Sequence, residues 1–270
     1  MDLATLREFE DVVRKLVPGF RIAYKDETPF QKLLGFFARP FNNGYMSRYT
    51  TTFYPVVYFP SKTDYETNIR GSFVVLAHEF IHLLDSAKHP VWFRLSYSLP
   101  QILSPLVLTL YSFLGHSPWP GIVSLAGLVV SLFLALISPV AFAIGAGATV
   151  IAASILAVFI TKWWAILFFV GLAILAPWPS PGRVWAEHRG YAMNLAINQW
   201  MSGTVVLLQK ELTVRYFTGP NYYFMSWRRP PHDAWVADIL TRAKNGGLAK
   251  EPGYSVVYEF LKAKGLLYNG

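Results

Sequence analysis

The residues of this chain best suited to chemistry are His78, Glu79 and His82, set as H-E-x-x-H within Phe73-Val-Val-Leu-Ala-His78-Glu79-Phe-Ile-His82-Leu-Leu-Asp85. On a helix, positions four apart lie one above the other, so both imidazoles can reach a single metal ion. Zinc accepts neutral imidazole nitrogen readily, and a catalytic site keeps one position for water, whose pKa falls to about 7 when bound. Glu79, beside the pair, is the expected general base for that water. Phe73, Val74, Val75, Leu76, Ala77, Phe80, Ile81, Leu83 and Leu84 are apolar almost all round the helix, which should be buried on most sides. A polar stripe of His78, His82 and Asp85 in so dry a place costs free energy unless something satisfies it, and a metal would. The competing reading is two core histidines bonded to backbone or to Asp85, with Glu79 turned to solvent.

Two histidines do not complete a catalytic zinc site, so a third protein ligand is expected. His89 is off register for the spacing in which a third histidine follows six residues after the second. Residues 183–209 read as a helix with Glu187, Tyr191 and Asn194 on one face. His188 would point roughly a third of a turn away from that face. Glu187 is therefore the chosen third ligand, with an ion pair to Arg183 or Arg189 as its structural alternative. A developing oxyanion needs a donor beyond the metal, and Tyr191, His232, Tyr222 and Tyr223 are the candidates, each also open to a structural role.

Other elements must position these residues. Leu3, Leu6, Phe9, Val12, Val13 and Leu16 recur at helical spacing, and Pro18-Gly19 stops the helix. Phe20 to Tyr24 is a short strand, 29–38 a short helix, and Arg48 to Phe59 one or two strands with Pro55 at an edge, bulge or turn. A strand at a sheet edge beside the metal can hold an extended peptide by strand addition; plain sheet packing is the other reading. Capping residues at Ser61 to Asp64 predict one helix running through His82 to about Ala87. Helices are expected near 233–244 and 254–264 as well.

Composition sets the wider frame. Just over half of the 270 residues are hydrophobic and 15% are charged, with no charged side chain between Arg94 and Lys162 and none from there to Arg183. Such a gap predicts a membrane protein, with residues 95–178 as a transmembrane insertion of about four apolar segments (97–114, 121–137, 140–161 and 163–178) in the lipid bilayer. Residues 1–94 and 179–270 then form one discontinuous domain. If His78 and Glu187 are to meet, the number of crossings must be even. Basic side chains outnumber acidic ones twelve to ten in residues 1–94 and eleven to six in 179–270, which by the positive-inside rule turns the domain toward the cytoplasm. The net charge of +8 is spread out, and no nucleic-acid-binding signature accompanies it. Cysteine is absent, which excludes disulfides, thiolate metal sites and cysteine nucleophiles.

The zinc helix, the layout of apolar segments and Glu187-His-Arg-Gly-Tyr191 together resemble the gluzincin membrane metallopeptidases, the HtpX-like heat-shock proteases and CAAX-prenyl endopeptidases. The resemblance implies an α-helical membrane protein with a small α+β gluzincin-like metallopeptidase domain. It also implies Zn²⁺ on His78, His82 and Glu187, and a protein or peptide substrate. In that family an aspartate four residues after the glutamate orients a zinc histidine, whereas this chain has Tyr191, leaving Asp85, Tyr191 or Asn194 to take the part. The leading expectation is an integral membrane zinc endopeptidase, with Glu79, Tyr191 and His232 as catalytic residues. The alternative is a non-enzymatic membrane protein with a structural metal site or none.

Overall fold

The computed structural model describes residues 1–38, 44–93, 118–137, 181–219 and 228–268, with Ser226 and a few single positions between 109 and 156. In chain order its elements are α1 (Leu3–Leu16), β1 (Arg21–Tyr24), α2 (Pro29–Ala38), β2 (Thr51–Phe53), β3 (Val56–Phe59), α3 (Lys62–Thr67), α4 (Ile69–Lys88), α5 (Trp119–Ile137), α6 (Pro181–Ser202), α7 (Leu207–Thr218), α8 (Pro230–Lys244) and α9 (Tyr254–Ala263). Two compact units emerge. The first comprises Met1–Phe93, Val184–Tyr222 and Ser226–Gly270, the second Arg94–Arg183 and Tyr223–Met225.

In the first unit, α1 begins at Asp2, whose carboxylate accepts the Thr5 N–H at 2.9 Å, and buries Leu6, Phe9 and Val13 completely. Gly19, at φ 77, turns the chain into β1. The sheet has the order β1-β3-β2, β1 parallel to β3 and β2 antiparallel to it, so among the described residues β2 is an edge strand. Thr52 pairs with Val57 and Tyr24 with Phe59, while Tyr54-Pro55, joined by a cis peptide bond, makes the turn between β2 and β3. Phe30 of α2 meets Phe53 edge-on at 6.2 Å.

The single helix expected from Ser61 onward is two. Asn68, at φ −94 and ψ 56, ends α3 and opens α4. Asparagine competes for backbone groups through its own amide and so interrupts helices. Along α4, Phe73, Leu76, Ala77, Phe80, Ile81 and Leu83 are fully buried, and Phe73 packs on Phe9 and on Phe260 of α9 at 4.8 and 5.9 Å between ring centroids. The helix expected over 183–209 also divides, at Gly203 (φ 71), into α6 and α7.

In the second unit, α5 carries Ser124, fully buried and 2.9 Å from the Thr109 hydroxyl. Here the expectation of a multi-pass membrane protein is corrected: among the described residues no helix is long and apolar enough to cross a membrane. The described fold is mostly helical with one small three-stranded sheet. A charge-free composition measures apolarity, whereas a span also needs about 20 residues of unbroken apolar helix. The multi-pass, cytoplasm-facing placement inferred from those spans is corrected with them. The segments 140–161 and 163–178 and most of 97–114 lie outside the described residues.

Candidate metal centre

Helix α4 and the later helix α6 bring His78, His82 and Glu187 into one group. Their ligand atoms all lie within 4.8 Å of one another, and all three residues are buried. His78 Nε2 and His82 Nε2 are 3.0 Å apart, and Glu187 Oε2 lies 3.3 Å from the first and 3.9 Å from the second. Metal–nitrogen and metal–oxygen bonds of roughly 2.0–2.2 Å in a tetrahedron set ligand atoms about 3.3–3.5 Å apart. The three measured separations bracket that value, so the donor set fits. This buried group can hold a metal ion.

Electrostatics agree with the geometry. Burial alone would push the Glu187 carboxyl up, but hydrogen bonds from His78 and His82 and their charges more than reverse it and hold it well below the usual carboxylate range. Burial pushes His82 down, and the hydrogen bond and charge of Glu187, with Glu79 and Asp85 adding, bring it out above its ordinary value. Glu187 is thus an anion ready to face a cation. Glu79 is buried beside the ligands in sequence, and the Thr52 hydroxyl of β2 donates to its Oε2 at 2.7 Å.

Several positions hold the two helices in register. Arg189 Nε donates to Asp85 Oδ2 at 2.7 Å, tying α6 to α4 one turn beyond the histidines, and the Tyr254 hydroxyl donates to the Arg189 carbonyl at 2.7 Å. Asp85 therefore pairs with Arg189, and the alternative of an Arg189–Glu187 pair is not the contact made. Tyr191 meets His78 edge-on at 4.8 Å and stacks on Tyr216 at 5.2 Å, so its ring packs against one of the three grouped residues. The Asn194 carbonyl accepts from Asn198.

His232 sits elsewhere. Its Nδ1 is 2.9 Å from His188 Nε2, and it stacks on Phe217, while His188 stacks on Trp235 at 4.1 Å. Burial, helped by His232, pushes His188 down to about 4, so this histidine is neutral at pH 7. Phe217 stands between His232 and Tyr191, touching both rings, so His232 belongs to an aromatic core cluster rather than to the metal group. His89 is exposed at the end of α4. Tyr222 and Tyr223 lie outside the described residues.

Sequence reasoning did not select Gly190 or Thr52, and it offered Arg189 only as a partner for Glu187. A Cβ on Gly190 would come within 2.4 Å of His78 Nε2 and 2.6 Å of its Cε1, so only glycine lets the imidazole rest on α6. A lone glycine in a helical pattern, three residues after Glu187, is the kind of signal that marks a close approach. Gly190→Ala is expected to displace His78 and weaken metal binding roughly 10–100-fold, as loss of outer support does. Competition with a chromogenic chelator measures it, with circular dichroism confirming the helices; unchanged affinity would show that His78 is not held this way.

No protein-family model, curated protein or solved structure matches this chain.

Proposed function

We propose that the protein is a zinc-dependent peptidase, with His78, His82 and Glu187 as metal ligands and Glu79 as general base. The observation carrying this reading is the ligand count. Among the described residues the buried group has three protein ligands, two imidazoles and a carboxylate, which is the set of a catalytic zinc site with one position for water, whereas structural sites close with four. Zinc there would supply a Lewis acid and lower the pKa of a water to about 7. Glu79 takes the proton as the water oxygen bonds to the scissile carbonyl carbon, then passes it to the amide nitrogen as the C–N bond breaks. The Thr52 hydroxyl holds one carboxylate oxygen during this exchange. A peptide substrate is favoured by β2, an edge strand whose Thr52 reaches Glu79, because an extended chain can pair with such an edge.

The test is direct. Purified protein should bind one zinc per chain and cleave quenched-fluorescent peptides, should lose cleavage with chelator before it loses helical structure, and should regain it with zinc. Substoichiometric metal at saturating zinc, or unfolding that precedes inactivation, would remove the catalytic reading.

A further inference from the structure

Helix α7 begins without a side-chain cap. Its N-cap position is Val206, which offers the first turn no acceptor, where serine, threonine, aspartate or asparagine is the usual choice. Val206, Leu207 and Leu208 instead stand 63, 82 and 67% exposed, the longest unbroken run of exposed large apolar side chains among the described residues. Val205, just before them, is buried and fixes the chain where this ridge begins. Beside the ridge, Val214 of α7 and Val236, Ala237 and Leu240 of α8 line an open groove of about 250 Å³. Small-molecule sites are more enclosed and hold roughly 300–1,000 Å³, so this groove is of a size for side chains from another protein surface. Charge decides which surface. The chain carries +8, so two copies repel wherever their basic faces meet. This face is balanced. Arg229 donates to Glu211 Oε1 at 2.8 Å and to Asp233 Oδ2 at 3.3 Å, which leaves one negative charge in surplus on the trio. Lys210, which lines the groove together with Glu211 and Asp233, has no ion pair among the described residues. Under a two-fold axis, residue i meets j and j meets i, so the surface must complement itself. A ridge beside a groove, and an unpaired cation beside a surplus anion, meet that condition. A nucleic acid or an acidic partner would need a basic face instead.

We propose that α7 and α8 form the contact of a two-fold homodimer, in which the ridge of each copy sits in the groove of the other and each Lys210 faces Asp233 across the axis. Helices of 12 and 15 residues are about 18 and 22 Å long, and packed roughly 8–10 Å apart they present a face of about 400 Å². A permanent interface takes about 800 Å² from each partner, so this dimer is a weak one that forms and dissociates with concentration. It is independent of what the metal group does.

Sedimentation equilibrium of the purified 270-residue chain, over about a hundredfold range of concentration reaching roughly 0.5 mM, tests this. The mass should climb from one chain toward two. Leu207→Asp, at a position so exposed that the fold gains nothing from leucine, should stay at one chain with an unchanged circular dichroism spectrum. Leu16→Asp, an exposed apolar position on α1 outside the patch, should associate as the parent does. Lys210→Glu should weaken association roughly tenfold, because the axis breaks two pairs at once. Adding Asp233→Lys to it reverses both pairs and should restore the parent's association. A parent that remains a single chain at every concentration would overturn the proposal and give the face to a different partner. It would be overturned equally by a Leu207→Asp protein that still pairs, by a Leu16→Asp protein that does not, or by a double variant that associates no better than Lys210→Glu.

Discussion

Glu79→Gln is expected to keep its zinc and lose its turnover. The carboxylate is outside the group formed by His78, His82 and Glu187, so the substitution leaves every ligand atom in place. Glutamine has the same shape, and its amide can keep a hydrogen bond with the Thr52 hydroxyl, which now sits 2.7 Å from a carboxylate oxygen. What glutamine cannot do is accept a proton from water. General-base catalysis is worth roughly 10²–10⁴ in rate, and the loss should appear in kcat with little change in KM. Metal analysis beside progress curves on a fluorogenic peptide reads both quantities. Cleavage at the parent rate would take Glu79 out of the role of base.

Glu187→Gln should act in the opposite way, on the metal before the chemistry. It replaces the only anionic member of the group, and zinc affinity should fall by more than the roughly 10–100-fold that loss of an outer partner costs. The metal-free protein carries its own signature. A carboxyl depressed below its ordinary 4.5 contributes stability that is present above that value and lost as pH falls through the depressed one. An imidazole raised above its ordinary 6.5 contributes stability that is present below 6.5 and lost as pH rises through the raised value. The Glu187 shift reports its contacts with His78 and His82, and the His82 shift its contact with Glu187, so the contribution is greatest between pH 4.5 and 6.5. With chelator present, the gap in melting temperature between parent and Glu187→Gln should be widest in that window and narrow on either side. A gap independent of pH would mean that the imidazoles do not hold the carboxylate.

Local signals were readable from residue order, and non-local ones were not. The spacing of His78 and His82 rests on helical periodicity, and α4 indeed carries both. The face of α6 bearing Glu187 was likewise visible as a polar stripe, and the structure brings that carboxylate to the imidazoles. The breaks at Asn68 and Gly203 each depend on a single residue, which a pattern averaged over a window smooths away. Thr52 gains meaning only through the strand order β1-β3-β2, which no local pattern of residues encodes. His232 was selected by residue type, but its partner, His188, lies 44 positions away and turns it toward an aromatic cluster. The transmembrane expectation came from the charge-free stretch and its apolar segments, and among the described residues no helix meets the length and apolarity a span requires.

The three residues that can hold a metal come from widely separated stretches of chain, His78 and His82 from one and Glu187 from another. A cation gripped by both fastens shut a loop of about a hundred residues, and the unfolded ensemble gives up the corresponding freedom. Such a clasp would make a bound ion a cross-link as well as the reagent proposed above. Zinc starvation should therefore leave the polypeptide more prone to unfold and to proteolysis, over and above silencing any reaction it performs.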